Sequence, residues 1–198
     1  MAEITASMVS ELRARTQVGM MDCKKALVAC DGDMDKACDF LREKGLAKAA
    51  KKAERNASEG RIFTYVHNGA KLAVLLELNC ETDFVARTDD FNALGHEIAM
   101  HIAAANPSYV RPEDVPQSEL DHEKEVIMAQ AREEGKPEAM LERIAEGKLA
   151  KYYEENCLLE QKYVRNPDLK IKDLIIENIA KIGENIVARR FARFSIGG

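Results

Sequence analysis

The residues of this 198-residue chain that could act as nucleophiles or metal ligands are mainly its cysteines and histidines. The cysteines form no C-x-x-C pair, and their odd number does not suit a disulfide framework. They are Cys23, Cys30, Cys38, Cys80 and Cys157. We expect reduced thiols that behave as small buried side chains. Cys80 lies near Asp83, but no histidine close in sequence could serve as its base, so the pattern does not favour a nucleophile.

The spacing of the histidines is unlike that of a metal site. His96 and His101 are five residues apart on a predicted helix, which turns them about 140° from each other instead of stacking them as ligands. We expect both imidazoles to be at the surface or partly buried. His67 adjoins a predicted turn, so we expect it to be exposed, and it has no sequence neighbour that would make it a base.

The acids after the second predicted helix resemble a calcium-binding loop only at its start. Asp31, Asp33 and Asp35 have the right spacing, but Lys36 stands where glycine is needed and Arg42 where the bidentate glutamate should be. The chain also has no GxxxxGK[ST] or GxGxxG segment. We therefore expect no cofactor, no nucleotide bound by this chain itself, and no bond-making chemistry.

The segment Asn79-Cys-Glu-Thr-Asp-Phe-Val-Ala-Arg87 leaves a predicted buried strand and enters a helix. It places Asp83 and Phe84 on the connection, and an aromatic side chain presented there is a candidate contact residue. The alternative is that Phe84 packs back onto the sheet. Composition alone favours that alternative.

The segment Val18-Gly-Met-Met-Asp-Cys-Lys-Lys25 places two adjacent methionines and two lysines at the start of a helix. Adjacent helical positions cannot both face one small core. We therefore expect Met20 or Met21 to be exposed as an adaptable contact residue.

Composition places the chain among globular proteins, with 46% hydrophobic and 32% charged residues and a net charge of -5. No apolar run is long enough to cross a membrane, and the N-terminal residues are unlike a secretory signal. The acidic balance is unlike that of a nucleic-acid binder, and the basic runs 48–55 and 189–193 are explained as solvated faces. We expect a cytoplasmic interaction protein that contacts neither membrane nor nucleic acid directly.

The first 55 residues are predicted to form three short helices. Thr5 is positioned to cap the first helix, and the second begins at Asp22. The third is predicted to end at Lys44 because Gly45 follows it. The Ala- and Lys-rich stretch 46–58 is interpreted as a helical linker.

Beyond residue 55 the pattern changes to that of an α+β module. Strands are predicted at 61–67 and 71–79, joined at Asn68-Gly69, a strong hairpin signal. Because the second strand is apolar on both faces, we expect helices to cover the sheet. A helix is predicted at 88–105. This change of residue pattern near residue 55 predicts two domains, 1–55 and 56–198.

The remaining chain is predicted to contain a helical hairpin, a helix and a last strand. Residues 118–156 form two acid-rich helices with few apolar positions, as expected of a hairpin in solvent. A helix follows at 172–182 and a third strand at 186–196. The predicted inner face of that strand is Ile186, Ala188, Ala192, Phe194 and Ile196.

Several of these segments closely resemble the bacterial translation elongation factor Ts family. The resemblance rests on Thr16-Gln-Val-Gly-Met-Met-Asp-Cys-Lys-Lys-Ala-Leu27 and on the segment 79–87. Lys181-Ile-Gly-Glu-Asn-Ile186 and the strand with Arg189-Arg190-Phe191 complete it. One departure is Gln17-Val18, where the family usually has Gly-Ala.

The resemblance implies a ubiquitin-associated-like three-helix domain followed by a core domain with a projecting antiparallel coiled coil, which the hairpin at 118–156 would form. Strand material for only one β-subdomain suggests a short form of the family. An exposed sheet edge would otherwise remain, so we expect a homodimer paired through its sheets and binding two molecules of elongation factor Tu.

The resemblance also implies guanine-nucleotide exchange on elongation factor Tu. Within Thr82–Val85, Phe84 would insert between two partner helices beside the partner's magnesium site, with Asp83 as a polar neighbour. Displacing magnesium would weaken the partner's hold on GDP. Further expected partner contacts are Met20, Met21 and Lys24 of the N-terminal domain, and His67, Ile182 and Gly183 of the core.

An alternative function remains open at this point. A ubiquitin-associated-like scaffold or helical-hairpin adaptor would bind a protein partner without promoting nucleotide release. Such a module would show the same exposed contact residues. The two functions differ only in whether bound GDP leaves the partner faster.

Overall fold

The computed structural model describes residues 4–16 and 18–197, so Gln17 of the departure from the family pattern lies outside the described residues. The helices are Ala6–Thr16 (α1), Met20–Ala29 (α2), Met34–Ala50 (α3), Asp83–Ala86 (α4), Asp89–Ala105 (α5), Gln117–Glu133 (α6), Glu138–Asn156 (α7) and Ile171–Ile182 (α8). The strands are Glu59–Val66 (β1), Leu72–Cys80 (β2), Lys162–Tyr163 (β3), Asn166–Lys170 (β4) and Ile186–Ser195 (β5). The α+β class predicted from sequence is confirmed.

The chain divides into two compact units. The first contains the described residues up to Arg61, with Leu78–Gly95 and Asp173–Val187. The second contains Ile62–Glu77, His96–Lys172 and the described residues from Ala188 onward. The division of the chain into domains at residue 55 remains a prediction.

In the first unit, α1, α2 and α3 enclose a small apolar core. Its buried residues are Val9, Leu12, Cys23, Ala26, Leu27, Ala37 and Leu41. The predicted cap of α1 is confirmed, because the Thr5 hydroxyl accepts a hydrogen bond from the backbone N–H of Met8 at 3.3 Å. Asp33 caps α3 by accepting from the backbone N–H groups of Asp35 and Lys36, both at 3.1 Å.

Two predicted helix boundaries in this unit were wrong. α2 begins at Met20 rather than Asp22, with Gly19 at its N-cap. α3 does not end before Gly45 but continues to Ala50, after which residues 51–54 form turns. A Cβ placed on Gly45 would lie 3.5 Å from that of Ala180 in α8. That distance is an ordinary van der Waals contact, so α3 passes close to α8 at Gly45, and the glycine does not terminate α3.

The hairpin predicted at Asn68-Gly69 is confirmed. The backbone N–H of His67 donates to the carbonyl of Leu72 at 2.9 Å, and that of Ala70 donates to His67 at 2.9 Å. Positive φ angles fall at Gly69 (85°) and Ala70 (51°), so the loop is longer than a two-residue turn. β5 supplies the predicted third strand of a small antiparallel sheet in the order β1-β2-β5.

The expectation that helices cover the sheet holds for one face only. On β2, alternate residues are buried: Val74, Leu76, Leu78 and Cys80. Leu75, on the other face, is 46% exposed. The predicted inner face of β5 was also wrong in part, because burial ends at Ala188 and both Phe194 and Ile196 are exposed.

The helical hairpin predicted at 118–156 is confirmed as α6 and α7, which pack together. Its buried seam is Ile127, Ala131, Leu141, Ala145 and Leu149. At its base, the hydroxyls of Tyr109 and Tyr152 both donate to the carboxylate of Glu119. The coiled coil and the ubiquitin-associated-like bundle implied by the family resemblance remain predictions.

The two-stranded pairing of β3 with β4 was not predicted, and it buries a histidine expected to be at least partly exposed. His101 in α5 is fully buried. Its Nδ1 accepts from the backbone N–H of Val164 at 3.3 Å, and its Nε2 contacts Oε1 of Gln161 at 2.9 Å. This geometry fits a neutral imidazole with its proton on Nε2.

Burial lowers the pKa of His101 in the folded chain, although its bond to Gln161 acts in the opposite direction. In the unfolded chain, this histidine has the ordinary pKa of about 6.5. As the pH falls below that value, the unfolded chain therefore binds more protons than the folded chain does. The stability present above that pH is therefore lost progressively towards pH 5. We expect urea unfolding to show this loss, with a slope of at most about 1.4 kcal/mol per pH unit from this one group.

His101→Gln should flatten that slope between pH 7 and 5. His96→Gln is the matched control, because His96 lies exposed on the same helix. The control should keep the wild-type slope. Equal slopes for His101→Gln and the wild-type chain would contradict the assignment.

Candidate functional site

The bend after β2 presents Phe84 to solvent. β2 ends at Cys80, and the four-residue helix α4 follows, with Thr82 in an extended conformation at its N-cap. The Thr82 hydroxyl accepts from the backbone N–H of Val85 at 3.4 Å. Phe84 is 78% exposed, so the alternative in which its ring packs back onto the sheet does not hold.

The residues flanking Phe84 fix the orientation of α4. Ala86 is buried and Val85 is half-buried, so this side of the short helix faces the protein. Asp83 forms an i, i+4 ion pair with Arg87 at 2.8 Å. Phe84 therefore remains the large apolar side chain that α4 leaves in solvent.

A polar network that we call the bend network connects this bend to the turn after α8. It consists of Glu81, Thr82, Glu184 and Asn185. The Glu184 carboxylate accepts from the backbone N–H groups of Glu81 (3.1 Å) and Thr82 (3.0 Å) and from the Thr82 hydroxyl (2.7 Å). In return, the Glu81 carboxylate accepts from the backbone N–H of Asn185 at 2.7 Å.

The bend network also reaches the segment after α3. Asn185 is 3% exposed, and its side-chain amide donates to the backbone carbonyls of Arg55 (2.9 Å) and Ala53 (3.4 Å). Lys52 donates to the carbonyl of Gly183, whose φ of 96° lets the chain turn sharply after α8. Glu81, Gly183 and their neighbours therefore hold three segments of the first unit together.

The thiol of Cys80 is part of this packing and not a nucleophile. It is fully buried and donates to the carbonyl of Thr82 at 3.1 Å. Burial, with a contribution from the charge of Glu184, raises its pKa to about 11. The thiol is thus protonated at neutral pH, when only a thiolate would react readily. All five cysteines are free, and Cys23 and Cys157 are also buried.

A second exposed surface lies on α2. Met20 is 47% and Met21 66% exposed, and Lys24 is exposed beside them, so the expectation of an exposed methionine is confirmed. Val28, 54% exposed, was not predicted. At 100° per residue these four side chains fall within about 100° of arc, and we call them the α2 face. Val28 could have been predicted as a member of this face from its helical spacing to Met20, Met21 and Lys24.

The remaining predicted contact residues lie in different places. Ile182 is half-buried at the end of α8, and Gly183 follows it directly beside the bend network. His67 belongs to the second unit, where it is exposed in the β1–β2 loop with its Nδ1 3.0 Å from the Tyr65 hydroxyl. The bend network brings Thr82 and Gly183 together, whereas the α2 face is on a separate helix of the first unit.

Glu184 and Asn185 were not identified as site residues from sequence. They appeared only as part of the segment 181–186 that matched the family. The available signal in the sequence was a glycine at the end of a helix, followed directly by an acid and an asparagine. Nothing in that pattern indicates which distant backbone groups the two side chains bind.

Several cations of the basic runs make contacts within the chain. Lys48 pairs with Asp22 at 2.9 Å, and Arg55 with Glu81 at 3.6 Å. Arg190 pairs with Glu77 at 2.6 Å. These runs therefore serve packing as well as solvation, which leaves less of their charge available for phosphate groups.

A cleft of about 320 Å³ lies in the first unit between α1, α3 and α8. Its lining includes Leu41, Gly45, Ile176 and Ala180, but none of the predicted contact residues. Within residues 4–16 and 18–197, no group of three or more His, Cys, Asp or Glu side chains could hold a metal ion. No helix in the same residues is long and apolar enough to cross a membrane.

Comparison with known proteins places these features in one family. The family model described as Elongation factor TS matches residues 30–178. Elongation factor Ts of Thermoanaerobacter sp. (strain X514) is 59% identical over 194 residues, covering 98% of this chain and 95% of the relative. Elongation factor Ts of Desulfosudis oleivorans is 55% identical over 197 residues, covering 100% of both chains.

The family model covers the bend at Thr82–Val85. The two relatives extend further, over both the turn that holds the bend and the α2 face. The exposed phenylalanine and the two adjacent exposed methionines therefore lie within the part of the chain that aligns with these relatives. From the extent and level of these matches, the chain belongs to the elongation factor Ts family and has a role in translation elongation.

Proposed function

We propose that this chain is a cytoplasmic guanine-nucleotide exchange factor that binds elongation factor Tu with GDP and speeds release of the GDP. The observation that carries the proposal is Phe84, an aromatic side chain 78% exposed on a bend anchored by the bend network. Family membership supports the partner. The chain acts by binding and performs no bond-making chemistry.

The proposed mechanism is mechanical displacement at the partner's nucleotide site. The Phe84 ring inserts between two helices of elongation factor Tu, and Asp83 makes a polar contact beside it. An aromatic anchor entering a pocket is the type of residue that dominates binding energy at interfaces. Movement of those helices dislodges the magnesium ion that bridges the protein to the GDP phosphates, which removes much of the attraction for the diphosphate.

Exchange then follows from thermodynamic reciprocity. If this chain weakens GDP binding by some factor, GDP weakens binding of this chain by the same factor. Each factor of ten corresponds to about 1.4 kcal/mol. Abundant GTP can therefore bind the emptied site and displace the exchange factor, which returns to another molecule of elongation factor Tu.

Further contacts are proposed on three parts of the chain. The α2 face presents two adaptable methionines and a lysine to the nucleotide-binding domain of the partner, as flexible Met-rich surfaces do elsewhere. Ile182 and Gly183 lie beside the bend, and Gly183 is exposed there. His67, exposed in the β1–β2 loop, is the contact from the second unit.

We also propose that the chain acts as a homodimer, in which each copy binds one elongation factor Tu. The support is an open sheet face of exposed apolar residues: Ile62, Val66, Leu75, Phe194 and Ile196. Glu77 lies on the same face of β2 as Leu75 by strand alternation, and it pairs with Arg190 of β5 at 2.6 Å. Such a patch favours pairing with a second sheet.

Phe84→Ala should leave the fold unchanged because the ring is exposed. Without the ring, we expect release of fluorescent GDP from elongation factor Tu, measured by stopped flow, to slow at least about tenfold. Phe84→Leu keeps an apolar side chain and should retain more of the rate. Val164→Ala, an exposed truncation in the second unit, is the control. GDP release by Phe84→Ala at the wild-type rate would remove Phe84 from the mechanism. A wild-type chain that binds elongation factor Tu without speeding GDP release would favour the adaptor.

Replacing both Met20 and Met21 with alanine should weaken binding to elongation factor Tu about tenfold in calorimetry, because two exposed contact side chains are removed. Met140→Ala provides the matched control, since Met140 is 48% exposed on α7 and Met20 is 47% exposed. The control should bind like the wild-type chain. Equal affinities for the double variant and the control would remove the α2 face from the interface.

Leu75→Glu places a charge in the middle strand of the open sheet face. Because an unpaired charge in an apolar interface is strongly unfavourable, we expect this variant to sediment as a single chain. The wild-type protein and Met140→Glu should both have about twice that mass. A wild-type protein that sediments as a single chain at micromolar concentration would refute the dimer.

A further inference from the structure

The carboxylate of Glu184 binds the bend that presents Phe84. It accepts two backbone N–H bonds, from Glu81 and Thr82, and one bond from the Thr82 hydroxyl. Both carboxylate oxygens are used, and bonds to a carboxylate are among the strongest in proteins. We propose that Glu184 is a positioning residue, which fixes the bend so that Phe84 stands ready to enter elongation factor Tu. This inference rests on the proposed function.

The bend needs support from outside because its own interactions are weak. α4 has four residues, too few for a helix to be stable alone. The bond from the Val85 N–H to the Thr82 hydroxyl is long at 3.4 Å. The Asp83–Arg87 ion pair is exposed to solvent, where such pairs contribute little. Phe84 itself makes no large buried contact, since 78% of it is exposed.

Glu184 also controls the helix cap through the Thr82 hydroxyl. That hydroxyl donates its proton to Oε1 of Glu184 while its oxygen accepts from the Val85 N–H. Donation to a carboxylate fixes the rotation of the hydroxyl and makes its oxygen a better acceptor. Removing the carboxylate would therefore loosen both the entry to α4 and the cap of α4.

The position of Glu184 is itself restrained. The next residue, Asn185, is buried, and its side chain binds the backbone carbonyls of Ala53 and Arg55. Its backbone N–H donates to the Glu81 carboxylate. The bend and the turn thus hold each other reciprocally. A ring held in its binding orientation loses less conformational freedom on association, so the effect should appear in partner function.

The test uses Glu184→Ala in the full chain. Hydrogen exchange should be faster at the amides of Thr82 and Val85, and unchanged at Ile98 in the buried part of α5. Stopped-flow release of fluorescent GDP, measured well below the unfolding temperature, should slow about tenfold. Should Glu184→Ala fail to fold, Glu184→Gln serves in its place, because it keeps a single acceptor and should give smaller effects in the same direction.

A double-mutant cycle separates positioning from general stability. If Glu184 acts only by presenting Phe84, the variant carrying both Phe84→Ala and Glu184→Ala should release GDP within about twofold of Phe84→Ala alone. If the two substitutions acted independently, their fold reductions in the GDP release rate would multiply instead. Asp33→Ala is the matched control: it removes an acid that caps α3 in the same unit, and should lower stability without changing GDP release.

The outcomes distinguish this inference from the proposed function. Unchanged exchange at Thr82 and Val85, or wild-type GDP release by Glu184→Ala, would overturn the positioning role. Multiplicative effects in the cycle would overturn it as well. Faster amide exchange with no effect of Phe84→Ala on release would instead refute the proposed role of Phe84 in exchange, because the bend would be held as described but its ring would not act.

Discussion

The carboxylate of Glu184 satisfies the backbone where a buried strand emerges at the surface. Cys80 ends β2 fully buried, and the next two amides bind Glu184. An unsatisfied buried N–H costs about 1–3 kcal/mol, and hydrogen bonds to a charged group contribute about 1.5–3 kcal/mol each. Burying a phenylalanine would gain about 1.5–3 kcal/mol. Three such bonds are therefore sufficient to hold the bend against collapse of Phe84 onto the protein.

The small sheet also has one buried face and one face that is open to solvent. One face of β2 is buried, while the other exposes Leu75 along with apolar residues of β1 and β5. An ion pair between Arg190 and Glu77 links β5 to β2. An apolar surface of this kind is unfavourable in water unless it is covered. The exposed aromatic on the bend and the open sheet face thus have separate physical roles in the proposed assembly.

Much of the architecture could be predicted because its signals are local. Thr5 caps α1, Asn68-Gly69 lies in a hairpin loop, and α5 forms where a helix was predicted. The predictions that failed depended on distant partners. The local pattern predicts a helix stop at Gly45, but α3 continues past it to Ala50, beside Ala180 of α8. His101 is predicted to be at the surface or partly buried, but β3 and β4 cover it completely.

The sequence by itself determined the α+β class, the family and the residues of the two exposed segments, because these depend on residue type and short-range spacing. Only the tertiary structure decided that Phe84 faces solvent, since composition favoured the opposite. It also decided that Glu184 and Asn185 anchor the bend, across about a hundred residues of sequence. A hydrogen bond between such distant segments leaves no periodic pattern in either, so it becomes visible only when the fold brings donor and acceptor within 3 Å.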